Sequence, residues 1–239
     1  LGGGLLSAEV GENELERLPE WIGAWDGVQK LDIGGNRLGS SVEHLSERLG
    51  VLGSLTDLSL RRNMLPSVPL SIGRLRHLSS LDLSQNRITI LHTCLFSLPR
   101  LHTLMLCNNQ IPSVPDHVCH LESLTYLDLS NNALSDLPST IILLGSLQTL
   151  AVSNNSLITV DPRIGTLPLR ALSLDGNPLK QIRRPILEAG TDRLLAYLRD
   201  KIPAGGGGPP PVAPPLPRTD SPCSDPSFRE GGDRGAAFE

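Results

Sequence analysis

Apolar residues recur along this chain in one fixed arrangement. Leu55, Leu58, Leu60, Asn63 and Leu65 spell LxxLxLxxNxL. The same form returns at Leu78 to Ile88, Leu101 to Ile111, Leu124 to Leu134 and Leu147 to Leu157, and with small changes at Leu5 to Leu15, Val28 to Leu38 and Leu169 to Leu179. The starts lie at 5, 28, 55, 78, 101, 124, 147 and 169, a spacing of 23 residues apart from one of 27 and one of 22. A period of this length marks a stacked repeat architecture. Within LxxLxL the apolar residues alternate with polar ones, which predicts a short strand with one buried face. A single strand of this kind cannot bury its leucines, so successive repeats must stack as a parallel sheet around a continuous core.

The residues that follow each strand carry a second pattern: Asn13, Asn36, Asn63, Asn86, Asn109, Asn132, Asn155 and Asn177. The chain turns inward there and would bury backbone groups that need partners. A carboxamide both donates and accepts, so these asparagines are expected to form a structural ladder between neighbouring repeats. The return segments repeat as well. Leu18-Pro19 with Ile22, Val68-Pro69 with Ile72 and Leu75, Val114-Pro115 with Val118 and Leu121, and Leu137-Pro138 with Ile141 and Leu144 share one form. Proline lacks the amide hydrogen of a sheet residue, which predicts short 3-10 or irregular turns on the convex side. In the 27-residue repeat, Ser40 to Glu43 reads as a capping box, and Val42, Leu45 and Leu49 share a helical face. A helix over about 41 to 49 is expected there.

These residues resemble intracellular leucine-rich repeats of the Ras group. The closing segment, Gly176-Asn177-Pro178-Leu179, Ile182 to Leu187, and Leu194 to Pro203, is similar to that of leucine-rich-repeat-containing protein 40 and its relatives. The expected fold is an α/β leucine-rich repeat solenoid, a curved horseshoe with a parallel sheet on its concave face and a C-terminal capping helix. The resemblance implies an adaptor or scaffold in the cytoplasm, with the nucleus as a second location, and supplies no active site. On the residues themselves, 180–203 reads as the cap. Thr191 suits the N-cap, Asp192 the positive helix end, and Leu194, Leu195, Leu198 and Ile202 form an apolar stripe, while Arg193, Arg199, Asp200 and Lys201 face water. The repeat domain is expected over 1–203 and a disordered tail over 204–239, where glycine and proline dominate. In that tail Pro214-Pro215-Leu216-Pro217 resembles a WW-domain ligand, and Pro-rich stretches of this kind are also taken by SH3 domains.

The chain has 239 residues, 39% hydrophobic and 3% aromatic, so its core must be aliphatic. A formal net charge of -4 gives no basic face for nucleic acid, and no apolar run is long enough to span a membrane. The start lacks an initiator Met and the features of a signal peptide, which is expected of a fragment. Cys94, Cys107, Cys119 and Cys223 form no CxxC pair, and a reducing compartment is expected.

A partner is expected on the concave face. The outward strand positions place Asp57, Arg61, Arg62, Asp82, Met105, Tyr126 and Asp128 there. Tyr and Arg are enriched at energetic centres of interfaces, and Met adapts to varied surfaces. The chain contains neither a GxxxxGK[ST] phosphate loop nor a GxSxG elbow. His117, Cys119 and His120 have no fourth ligand, so no metal site is expected, and no catalytic residue or cofactor site is assigned. Two readings of function follow. One is a non-catalytic interaction scaffold in intracellular signalling. The other is the recognition region of a larger signalling enzyme whose catalytic part lies outside this chain.

Overall fold

In the computed structural model, which describes residues 5–203 and 212–215, the strand positions of the repeat form one open, curved sheet of eight parallel strands in sequence order. The strands are β1 (Ser7–Glu9), β2 (Lys30–Asp32), β3 (Asp57–Ser59), β4 (Ser80–Asp82), β5 (Thr103–Met105), β6 (Tyr126–Asp128), β7 (Thr149–Ala151) and β8 (Ala171–Ser173). The register is strict, and equivalent motif positions face one another from end to end. Each strand buries its central residue, so Leu31, Leu58, Leu81, Leu104, Leu127, Leu150 and Leu172 stack as one row of the core. Burying a leucine contributes about 1.5–3 kcal/mol, and here that gain exists only when a neighbouring repeat covers it.

The return segments are 3-10 turns, as the prolines require. Pro19, Pro69, Pro115 and Pro138 each stand as the extended residue just before one, preceding Glu20–Ala24, Leu70–Arg74, Asp116–His120 and Ser139–Leu143. In the long repeat a 3-10 turn, Leu38–Ser41, runs into α1 (Val42–Leu49), which buries Leu45 and Leu49. The Ser40 hydroxyl donates back to the carbonyl of Arg37 at 3.2 Å. The side chain of Glu43, the other half of the expected capping box, lies outside the described residues.

A short helix, α2 (Arg184–Leu187), leads to α3 (Thr191–Asp200). Leu194, Leu195 and Leu198 are buried against the last repeat, and Ile202 is half-buried. One expectation about this cap is corrected. Gly190, not Thr191, is the N-cap residue, because the chain enters the helix at φ 90°, which favours glycine. Thr191 instead accepts the N–H of Leu172 through its hydroxyl at 3.3 Å, fastening the cap to β8. Arg199 is exposed, as expected, and also anchors the cap. Its Nε donates to the carbonyl of Gly165 at 2.6 Å and ties α3 to the preceding 3-10 turn. No helix among the described residues is long and apolar enough to cross a membrane.

Of the tail, Val212–Pro215 is described. The Pro214 carbonyl accepts from Nε2 of His120 on the convex return. Leu216 and Pro217 of the candidate ligand motif, and the rest of the segment expected to be disordered, lie outside the described residues.

Candidate functional site: the concave face

The turn that follows each strand fixes what the concave face can present. Asn36, Asn63, Asn86, Asn109 and Asn155 are buried, and Asn132 and Asn177 half-buried. Asn109 is representative. Its Nδ2 donates to the carbonyls of Leu83 in the previous repeat and of Leu106 in its own, both at 3.0 Å, and its Oδ1 accepts the N–H of Ile88 at 3.0 Å. Asn13 departs from this pattern. It is exposed and bonds only the carbonyls of Val10 and Gly11 in its own turn, because no described repeat precedes it.

The residue just before each asparagine takes a left-handed conformation: Glu12, Gly35, Arg62, Gln85, Asn108, Asn131, Asn154 and Gly176. This turns the chain away from the strand and lifts the side chain of Arg62 onto the rim. Arg62 Nη1 lies 3.0 Å from Glu12 Oε1, and Arg61 Nη2 lies 3.9 Å from the same oxygen, across the whole of the second repeat. The second repeat makes room with two glycines. A Cβ on Gly35 would meet the Glu12 carboxylate at 2.6–2.8 Å, and one on Gly34 would meet Arg61 Cγ at 2.8 Å. Glu12 is thus a partner of two expected site residues that the sequence reading did not pick out. The signal available in the sequence is the Gly34-Gly35 pair, which interrupts the polar residues that other repeats carry at this point.

The expected site residues fall into two groups. Asp57, Arg61 and Asp82, with Ser7, Glu9, Lys30 and Asp32 nearby, line a shallow concavity of about 360 Å³ over β1 to β4. Met105 stands at its margin and leads into the second group. Asp82, Met105 and Asp128 face one another in successive strands, in one row. Tyr126 stands on the same face of β6 as Asp128, and Cys107 follows β5 beside them. All five are half-buried. Asp57 lies three strands from Tyr126, so the two groups are neighbours rather than one cluster.

The electrostatics join the second group. Burial pushes the Cys107 thiol above its ordinary pKa, and the Asp128 carboxylate adds to this. Burial likewise raises the Tyr126 phenol, again with a contribution from Asp128. Both groups are therefore held in their protonated, uncharged forms at neutral pH. Cys107 and Cys119 are free thiols, and Cys94 and Cys119 are buried.

The aspartates of this face also hold the backbone. Asp32, Asp82 and Asp128 each accept, through Oδ1, the N–H two residues on, from Gly34, Ser84 and Ser130 at 2.8, 2.8 and 2.9 Å. One carboxylate oxygen of each is thus engaged in the turn. Among the described residues, no group of three or more His, Cys, Asp or Glu is placed to hold a metal ion. His117 and His120 stand on the convex turn with ring centroids 6.3 Å apart, and the intervening Val118 and Cys119 are buried.

A strand of three residues, an asparagine rung, a 3-10 return and a strictly parallel register define a leucine-rich repeat solenoid. The comparisons with known proteins agree. The leucine rich repeat family matches residues 99–157. A leucine-rich repeat protein of Leptospira interrogans, LIC12759, has a solved structure that superposes with a TM-score of 0.56 at 27% identity, covering 77% of this chain and 58% of that one. Two internalins of Listeria monocytogenes share the fold. InlF has a TM-score of 0.60 at 24% identity, covering 76% of this chain and 58% of that one. InlC2 has 0.64 at 24%, covering 78% and 77%. This chain thus spans little more than half the length of the Leptospira protein and of InlF.

Proposed function

We propose that this chain is a non-catalytic scaffold whose concave face holds a protein partner in intracellular signalling. The observation that carries the reading is the half-buried patch of Asp82, Met105, Tyr126 and Asp128 on one face of a rigid sheet. An aromatic ring and a thioether between carboxylates offer apolar contact area with directional acceptors, the composition of an interface centre. The thiol and phenol nearest to nucleophilic character are both held protonated, which favours binding over chemistry. The free thiols of Cys107 and Cys119 and the Ras-group resemblance of the repeats support a cytoplasmic location.

The test is affinity capture with the intact chain, a Tyr126→Ala/Met105→Ala variant and an Arg61→Glu variant, checked for unchanged circular dichroism. A partner held by the patch is lost from the first variant, with affinity reduced about ten-fold or more. Equal recovery by every form would overturn the concave reading.

A further inference from the structure

A second charged surface lies on the edge where the chain enters β4 and β5, away from the concave patch. Arg76 and His77 precede β4, and Arg100 and His102 precede β5. All four side chains are exposed. Three of them are linked to one another, and Arg76 rests on a backbone carbonyl. Arg100 Nη1 lies 3.1 Å from Nδ1 of His77. A guanidinium only donates, so that nitrogen of His77 is the bare acceptor and its proton is on Nε2. His102 Nδ1 lies 2.6 Å from the carbonyl of Arg100, which only accepts, so this nitrogen carries the proton. Ser79 Oγ stands 3.3 Å from the same nitrogen. Arg76 Nη1 donates to the carbonyl of Ser97 at 3.2 Å.

The arginines here are anchored by neutral acceptors. The ion pairs formed among the described residues use Arg37, Arg48, Arg61, Arg62 and Arg163 instead. The carboxylates on the flanking repeats, Asp57 and Glu122, pair with neither Arg76 nor Arg100. Both guanidinium charges are therefore positioned but uncompensated. The parallel ladder repeats them: the His102 N–H donates to the Ser79 carbonyl at 2.8 Å, fixing one entry edge against the next. Adjacent strands stand about 4.8 Å apart, and same-side residues of an extended peptide about 6.7 Å apart. An extended peptide can therefore present alternate side chains to neighbouring repeats along this edge.

We propose that this edge, formed by Arg76, His77, Arg100 and His102, docks an extended, carboxylate-rich segment of another protein. Arg76 and Arg100 supply the charge, and the Nε2–H of the exposed His77 supplies a donor. The occupant is a separate protein rather than this chain's own tail, because beyond residue 215 Asp and Glu are interleaved with Arg218, Arg229 and Arg234. The proposal does not depend on the concave reading, since none of its residues belongs to that face.

The test is fluorescence anisotropy of a labelled peptide of alternating Glu and Ser, with a Lys-for-Glu peptide as its counterpart, titrated with the full chain at low salt. The Glu peptide is expected to bind and the Lys peptide not. An Arg76→Glu/Arg100→Glu variant is expected to weaken binding about ten-fold or more, and Arg76→Gln/Arg100→Gln to an intermediate degree. Arg87→Glu/Lys180→Glu changes net charge equally at exposed positions past the far ends of the strands, and is expected to change affinity little. Equal loss in that control would reduce the effect to net charge and overturn the proposal, as would no binding by the unaltered chain. If binding appears only after Asp220→Asn/Asp225→Asn, the tail is the natural occupant and the separate-partner proposal fails.

Discussion

Asn86 accepts, through its side-chain oxygen, the backbone N–H of Asn63 one repeat earlier at 2.9 Å, and the N–H of Leu65 at 3.0 Å. Its Nδ2 reaches the carbonyls of Leu60 and Leu83 at 3.0 and 2.9 Å. One side chain thus completes buried backbone groups in two repeats. Replacing Asn86 with Ala is expected to cost about 3 kcal/mol or more, because several buried groups lose their partner together. Asn13→Ala, at an exposed rung with contacts in its own turn alone, is expected to cost less than about 1 kcal/mol. Urea titration of the two variants measures both. Equal losses would show that the ladder does not carry the stability assigned to it.

Gly176 adopts φ 72°, and a Cβ there would stand 2.0 Å from Asn154 Oδ1. Asn154 in turn donates to Asn131 at 2.9 Å. Gly190 adopts φ 90° with open space around it. Gly190→Ala is therefore expected to cost only the strain of a positive-φ, extended backbone, about 1–3 kcal/mol. Gly176→Ala should cost more, since it also displaces Asn154. Paired thermal melts decide the order.

The Asp161 carboxylate caps the 3-10 turn Pro162–Thr166 by accepting the Arg163 N–H at 2.9 Å, and it pairs with the Arg163 guanidinium at 2.7 Å. Burial pushes this carboxyl up, but the side-chain and backbone hydrogen bonds from Arg163 outweigh burial and hold it below the ordinary carboxylate range. A folded pKa below the unfolded one gives stability that is complete above the unfolded value of about 3.9. That stability is lost as pH falls through the lowered folded value. Asp161→Ala is expected to cost about 1 kcal/mol at neutral pH through the lost cap. The difference from the unaltered chain should shrink below about pH 4, as measured by urea midpoints across the acid range.

Cys107 is held protonated by burial first and by Asp128 second. At neutral pH it should react with iodoacetamide more slowly than a free thiol. Asp128→Asn keeps an acceptor for the Ser130 N–H but removes the charge, and should speed the reaction. Peptide mapping by mass spectrometry follows the residue. An unchanged rate in the variant would mean that Asp128 does not govern this thiol.

The strands, the asparagine column and the 3-10 returns were legible because each is a local pattern repeated in register. The inward leucines and the turn prolines allow the chain little else. Asp82, Met105, Tyr126 and Asp128 could be placed on one face for the same reason, since strand alternation fixes the side and the repeat fixes the row. The partnership of Glu12 with Arg61 and Arg62 was not legible. It spans a full repeat and depends on the space that Gly34 and Gly35 leave. The turn role of Asp32, Asp82 and Asp128 was legible in principle from the Gly or Ser two residues later. The cap was read correctly in its apolar stripe, but its anchors, Thr191 to Leu172 and Arg199 to Gly165, join segments that only packing brings together.

The sequence by itself determined the repeat, the face of every strand residue and the identity of the rungs, because these follow from alternation and period along the chain. Tertiary structure alone decided which polar side chains are already engaged and which remain for a partner. Asp82 gives one oxygen to a turn, Arg62 leans to Glu12, and Arg76 and Arg100 rest on neutral acceptors. Those outcomes depend on distances of a few ångströms between repeats, where hydrogen bonds and charge pairs compete, and no local pattern sets them.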